Sequence, residues 1–110
     1  MGKFVKGDIV VIPFPFSDLS GSKRRPALVI ADLQGDDIIL CQITSQNTKD
    51  NYAITINPND FKSGSLNTQS NIRPNRIFTA DKNIIVYKIA AVNDKTIGDA
   101  VKKIIDIISI

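Results

Sequence analysis

Between Gly7 and Ile30 the chain reads GDIVVIPFPFSDLSGSKRRPALVI, two apolar runs held apart by a short polar loop. The β-branched Ile9, Val10, Val11 and Ile12 favour a strand over Asp8 to Phe16, and Pro26 to Leu33 reads as a second. A Gly35-Asp36-Asp37 turn leads straight into a third apolar run, Ile38 to Thr44, so the second and third strands are expected to form a hairpin. Pro13 and Pro15 alternate with Phe14 and Phe16. Each proline removes a backbone donor, so this end of the first strand must lie at a sheet edge or leave the ladder.

The remaining pattern continues in the same key. A short alternating strand is expected around Tyr52 to Ile56, and Asn57-Pro58-Asn59-Asp60 is a strong turn signal. Lys62-Ser63-Gly64, within the stretch 61–69, reads as another turn. Ser70 to Thr79 reads as a strand made irregular by Pro74. Asp81 to Asn83 turns again, and Val86 to Val92 forms a last strand. Asn93 or Asp94 can cap a helix that starts at Lys95. Ile97, Val101, Ile104, Ile105 and Ile108 then recur at helical spacing and give it one apolar face. Short strands, frequent turns and one terminal helix predict a mainly β fold, a small and strongly curved barrel closed by the helix. At 110 residues the chain is expected to be a single domain spanning 1–110.

Composition narrows the chemistry. The chain has no histidine and no glutamate. Ser-His-Asp catalysis, His-dependent metal sites and paired-histidine RNA cleavage are therefore excluded. Any enzyme built from this chain must work with Arg, Lys, Asp, hydroxyls or backbone, and no metal or cofactor is expected. The lone Cys41 can make no internal disulfide, which fits a reducing cytoplasm. No apolar run reaches the roughly 18 residues of a membrane span, and the amino terminus lacks a signal-peptide core, so no membrane association is expected. Net charge is only +3, but all four arginines fall in two short places.

The first place is Lys23-Arg24-Arg25-Pro26. Three adjacent cations often form nothing more than a solvated loop. Arginine nevertheless offers a rigid fork of donors suited to a phosphoryl group gaining charge, and Pro26 biases Arg25 towards extended geometry. Ser17, Ser20 and Ser22 add small hydroxyl residues to the loop. Thr44, Ser45 and Gln46 end the third strand, where hydroxyls commonly serve as turn caps. The hairpin sets its two open ends side by side, so Arg25 and Thr44 can share one rim and hold a phosphodiester between them. The second place is Asn71 to Arg76. Strand alternation sends Arg73 and Asn75 to one face and Arg76 to the other, leaving one arginine as surface decoration or an ion-pair partner. Phe14 and Phe16 could stack on bases, although strand phenylalanines are more often core.

Gly7-Asp8-Ile9-Val10, then Pro26-Ala27-Leu28-Val29-Ile30 after a basic loop, closely resembles the MazF/PemK family of bacterial toxins. The similarity continues through Cys41-Gln42-Ile43-Thr44-Ser45-Gln46 and Ser70 to Asp81 to the terminal helix. It implies an SH3-like barrel of the MazF/PemK/CcdB kind, a homodimer, and restraint by a cognate antitoxin protein. It also implies a cytoplasmic, metal-independent, sequence-selective endoribonuclease that cleaves single-stranded RNA by attack of the ribose 2′-hydroxyl. By the same resemblance Arg25 would stabilise the phosphorane and Thr44 would position the scissile phosphate. Arg73 falls where some members carry a second catalytic arginine, and Asn75 stands where those members have an acid. Asp18 is a candidate proton acceptor. Ser20, Lys23, Arg24, Ser45, Gln46 and Arg76 are candidate RNA contacts. Two other readings fit the same barrel: an inhibitor that binds a protein target such as a DNA topoisomerase, and an RNA-binding barrel without cleavage.

Overall fold

The computed structural model describes residues 4–14, 23–46 and 50–110. Seven antiparallel strands form one sheet: β1 Asp8–Phe14, β2 Lys23–Asp32, β3 Asp37–Thr44, β4 Ile54–Ile56, β5 Phe61–Gly64, β6 Ser70–Asp81 and β7 Tyr87–Val92. Their order is β4-β6-β3-β2-β1-β7-β5. The two edge strands, β4 and β5, are consecutive in the chain and joined only by residues 57–60, which include a 3₁₀ turn at Pro58–Asp60. So short a link holds the two edges close together and curls the sheet into a nearly closed barrel, the strongly curved form expected. Curling also protects the edges from pairing with other chains.

Alternation explains why the first strands are apolar at nearly every position. Ile9, Leu28, Cys41 and Ile43 enter one buried cluster with Ile72, Ala90 and Val92. Their neighbours Val10, Ile12, Ala27, Val29, Ile38 and Leu40 enter a second, covered by Phe4, Phe78, Ala80 and Ile85. The sheet is thus buried on both faces here, and a polar residue on either would be costly. The helix α1, Asp94–Ile108, plugs the first cluster with Ile97 and Ala100. Asn93 is the cap, its side-chain oxygen accepting from Thr96 N at 2.9 Å.

The Gly7-Asp8 pair has a backbone reason. Gly7 sits at φ +100°, donates to Val29 O and accepts from Val92 N, both at 2.9 Å, and so ties β2 to the end of β7. Buried Asp8 accepts from Val5 N at 3.0 Å and pairs with Lys88 Nζ at 3.1 Å. Pro13 lies where β1 has lost β7, whose pairing stops at Val11↔Tyr87, and keeps only Arg24 of β2 opposite it. Its missing donor is therefore spared, as expected at a one-sided end.

Three expectations change. Lys23, Arg24 and Arg25 are not loop but the start of β2, because each faces a residue of β1. Lys62-Ser63-Gly64 is not a free turn but the body of β5, paired with β7. The irregularity near Pro74 is a large bulge: two steps along β3, Cys41 to Ile43, are matched by five along β6, Ile77 back to Ile72. The extra residues break the ladder, and the Cys41 thiol takes up one freed carbonyl, donating to Arg73 O at 2.9 Å. Burial pushes that thiol up to about 12. Cys41 should therefore resist a thiol reagent such as iodoacetamide in the native protein at pH 7.5 and react fully in denaturant, which mass spectrometry can read.

Candidate active site

At the end of the β1–β2 pair where Phe14 faces Lys23 lies a cavity of about 580 Å³. Lys23, Arg24 and Arg25 at the start of β2 line it, with Val11, Pro26, Ile43 and Ile89 contributing apolar surface. Ser45, Asn67, Thr68 and Ser70 add hydroxyl and amide groups, and half-exposed Tyr87 also lines it. Arg24 and Arg25 are placed by β pairing, opposite Pro13 and Ile12 of β1, so their Cα positions are fixed by the ladder.

The electrostatics favour an anion. Among the described residues, Lys23, Arg24 and Arg25 have no ion-pair partner, whereas Arg73, Lys82, Lys88, Lys95 and Lys102 each have one. Arg25 is half-buried and its Nε is buried without a hydrogen-bond partner. A buried charged donor left unsatisfied is costly, so an anion arriving there would be strongly held.

β2 and β3 pair with Ala27 opposite Gln42, and the same register carried two residues on sets Arg25 opposite Thr44. Ile43 and Ser45 line the cavity while Thr44, between them, does not. Thr44 is buried, and its Oγ1 accepts from Gln46 N at 3.2 Å. Its hydroxyl proton is given to no described residue. Gln46 is exposed, and its carbonyl accepts from Asn71 Nδ2 at 3.3 Å.

Arg73, Asn75 and Arg76 do not line the cavity. Asn75 and Arg76 are exposed on β6, within the bulge. Arg73 is the ion-pair partner of the two, its guanidinium 2.7 Å from Asp50 Oδ2. Asp18 and Ser20 lie outside the described residues. Sequence reading missed Asn67, Thr68, Ser70 and Tyr87; the polar run at 67–70 was the available signal, but it resembles any loop.

Partial burial would raise the Asp50 carboxyl, but hydrogen bonds from Tyr52 N and Arg73, with the Arg73 charge, outweigh it and hold it below the usual range. A depressed carboxyl contributes stability above the ordinary aspartate range and loses it as pH falls through the lowered value. The gap in urea midpoint between the wild type and Asp50→Asn should therefore narrow as the pH is taken below that range.

Residues 5–108 match the family model of the PemK-like, MazF-like toxins of type II toxin–antitoxin systems. The chain belongs to this family. Solved structures agree in fold. A MazE–MazF complex from Deinococcus radiodurans superposes with a TM-score of 0.77 at 15% identity, covering 100% of this chain and 99% of that one. An endoribonuclease in complex with its cognate antitoxin from a mycobacterial species gives 0.76 at 13% identity, over 98% and 97%. The Mycobacterium tuberculosis toxin MazF-mt6 gives 0.73 at 12% identity, over 94% and 97%. No curated protein matches the chain. Among the described residues of this PemK/MazF-family chain, no group of three metal-ligating side chains converges, and no helix is long and apolar enough to cross a membrane.

Proposed function

We propose that this PemK/MazF-family protein is a sequence-selective, metal-independent endoribonuclease that cleaves single-stranded RNA, the toxic partner of a cognate antitoxin. One observation carries the reading: three cations without an ion-pair partner among the described residues line a cavity in a chain of this toxin family. The relatives described as endoribonucleases, one of them held by its antitoxin, point the same way.

In this mechanism the ribose 2′-oxygen attacks the adjacent phosphorus, the bond from phosphorus to the 5′-oxygen breaks, and a 2′,3′-cyclic phosphate remains. The 2′-hydroxyl loses its proton and the departing 5′-oxygen gains one. Between these events the phosphorane carries an extra negative charge. In this reading Arg25 meets that charge with fixed donors, and Thr44, between the cavity-lining Ile43 and Ser45, positions the scissile phosphate. Lys23 and Arg24 hold the neighbouring backbone, a contact that salt should weaken. Ser45 lies on the cavity wall, and Asn67 and Thr68 offer groups able to read a base edge, the basis of selectivity. The protein acts as a homodimer in the cytoplasm, and the antitoxin competes for the same basic face with acidic and apolar residues.

Incubating purified protein with a long single-stranded RNA in EDTA tests the reading. Discrete fragments ending in cyclic phosphate and 5′-hydroxyl are expected. Salt-dependent RNA binding without any product would overturn it.

A further inference from the structure

Five polar contacts order the β3–β4 connection, and three of them reach β6. Arg73 holds Asp50, whose other carboxylate oxygen accepts from Tyr52 N at 3.0 Å. Asn71 donates to Gln46 O and accepts from Thr55 Oγ1 at 2.8 Å, and Gln46 N in turn donates to Thr44 Oγ1. Both ends of the segment 46–50 are thus fastened to one stretch of β6, residues 71–73. That stretch is the start of the bulge.

Arg73 is gripped at both ends. Its carbonyl accepts from the Cys41 thiol, and its guanidinium is only 17% exposed and lies against Asp50, itself 25% exposed. A partly buried pair of this kind is less screened than a surface pair and holds geometry better. The Nε of Arg73, like that of Arg25, is buried without a partner, but its guanidinium is tied to Asp50 and so is poorly placed to swing to a phosphate, whereas Arg25 has no ion-pair partner among the described residues.

We infer that Asp50 is a positioning residue for RNA cleavage, acting through Arg73 to fix the Thr44-to-Gln46 corner rather than by touching RNA. The inference rests on the proposed role of Thr44. Its cause is geometric: a reacting group displaced by about 1 Å can lose about 10²-fold in rate. The Asp50–Arg73 contact is the one ion pair among these five contacts, so its loss frees Asp50 from β6.

Single-turnover cleavage of an RNA with one target site, combined with NMR of the backbone amides, decides the matter. Asp50→Ala and Asp50→Asn are expected to lower kcat by about 10- to 100-fold with little change in KM. The double variant Asp50→Ala with Arg73→Ala should be no worse than either single, because the two act as one unit. Asp50→Glu should recover most of the rate. The Thr44, Ser45 and Gln46 amide resonances should shift in Asp50→Ala while the core strands stay in place. Wild-type kcat in Asp50→Ala would overturn the inference. So would a loss confined to KM with a shallower salt dependence, which would make Arg73 an RNA contact, or unshifted amides at the corner. If the wild type cleaves no RNA, the functional reading falls on its own, and the amide shifts still test whether Asp50 sets this corner.

Discussion

Arg25→Ala is expected to reduce RNA cleavage by about 10²- to 10³-fold, the usual consequence of removing one preorganised donor from a developing charge. The side chain is half-buried, its Nε has no partner among the described residues, and the β2–β3 register carried two residues on sets it opposite Thr44, so no ion pair among the described residues needs its charge. Stability should accordingly change little. Arg25→Lys keeps the charge but loses the planar fork, and should recover only a small part of the rate. Thr44→Ala should also lower the rate, although its hydroxyl anchors Gln46 N as well, so some of that loss will be positional. Measuring kcat and KM separately for each, with a urea melt beside them, checks the assignment. Undiminished cleavage by Arg25→Ala would remove that residue from the mechanism.

The largest expected effect on stability comes from a residue with no side chain. Gly64 closes β5 at φ +66°, and a Cβ there would lie 2.4 Å from Ile89 O and 2.9 Å from Ala90 Cα. Both are backbone atoms of β7 and cannot turn aside. Gly64→Ala must therefore strain its own backbone and also push β5 off β7, together about 3 kcal/mol or more. For a domain of this size that lowers Tm by about 10 °C or more. Gly35→Ala is the control. Its φ is +67°, but nothing lies within 4 Å of the added carbon, so it should lose only about 1 kcal/mol. Equal losses in the two variants would mean that the β5–β7 contact yields. Because Ile89 lines the cavity, Gly64→Ala should also impair RNA binding at temperatures where it remains folded.

Much of this barrel could be read from the chain because its strands announce themselves chemically. Runs such as Ile9 to Ile12 and Ala27 to Ile30 are rich in β-branched residues, apolar on both faces and bounded by turn residues, and the helix carries both cap and periodicity. β5 could not be read in this way. Lys62, Ser63 and Gly64 have the composition of a turn, and they are a strand only because β7 lies beside them. The bulge was visible as an irregular Pro74, but its size was not. Three surplus residues break the two-residue period, so faces assigned along β6 do not carry across it. For the site, three adjacent cations stood out at Lys23 to Arg25. The partner of Arg73 did not, because Asp50 is 23 residues away in a polar stretch with no pattern of its own.

The position of β1 between β2 and β7 sets a clock on the protein's own synthesis. Val11 must wait for Tyr87, and the cavity needs both. At ordinary elongation rates that interval is roughly 4–15 s, during which the emerging chain displays its basic strand without the wall that completes the pocket. A ribosome making this protein therefore carries a growing chain whose pocket stays unfinished at least until Tyr87 has been added. The topology itself delays completion of the pocket, and with it the cleavage proposed for it.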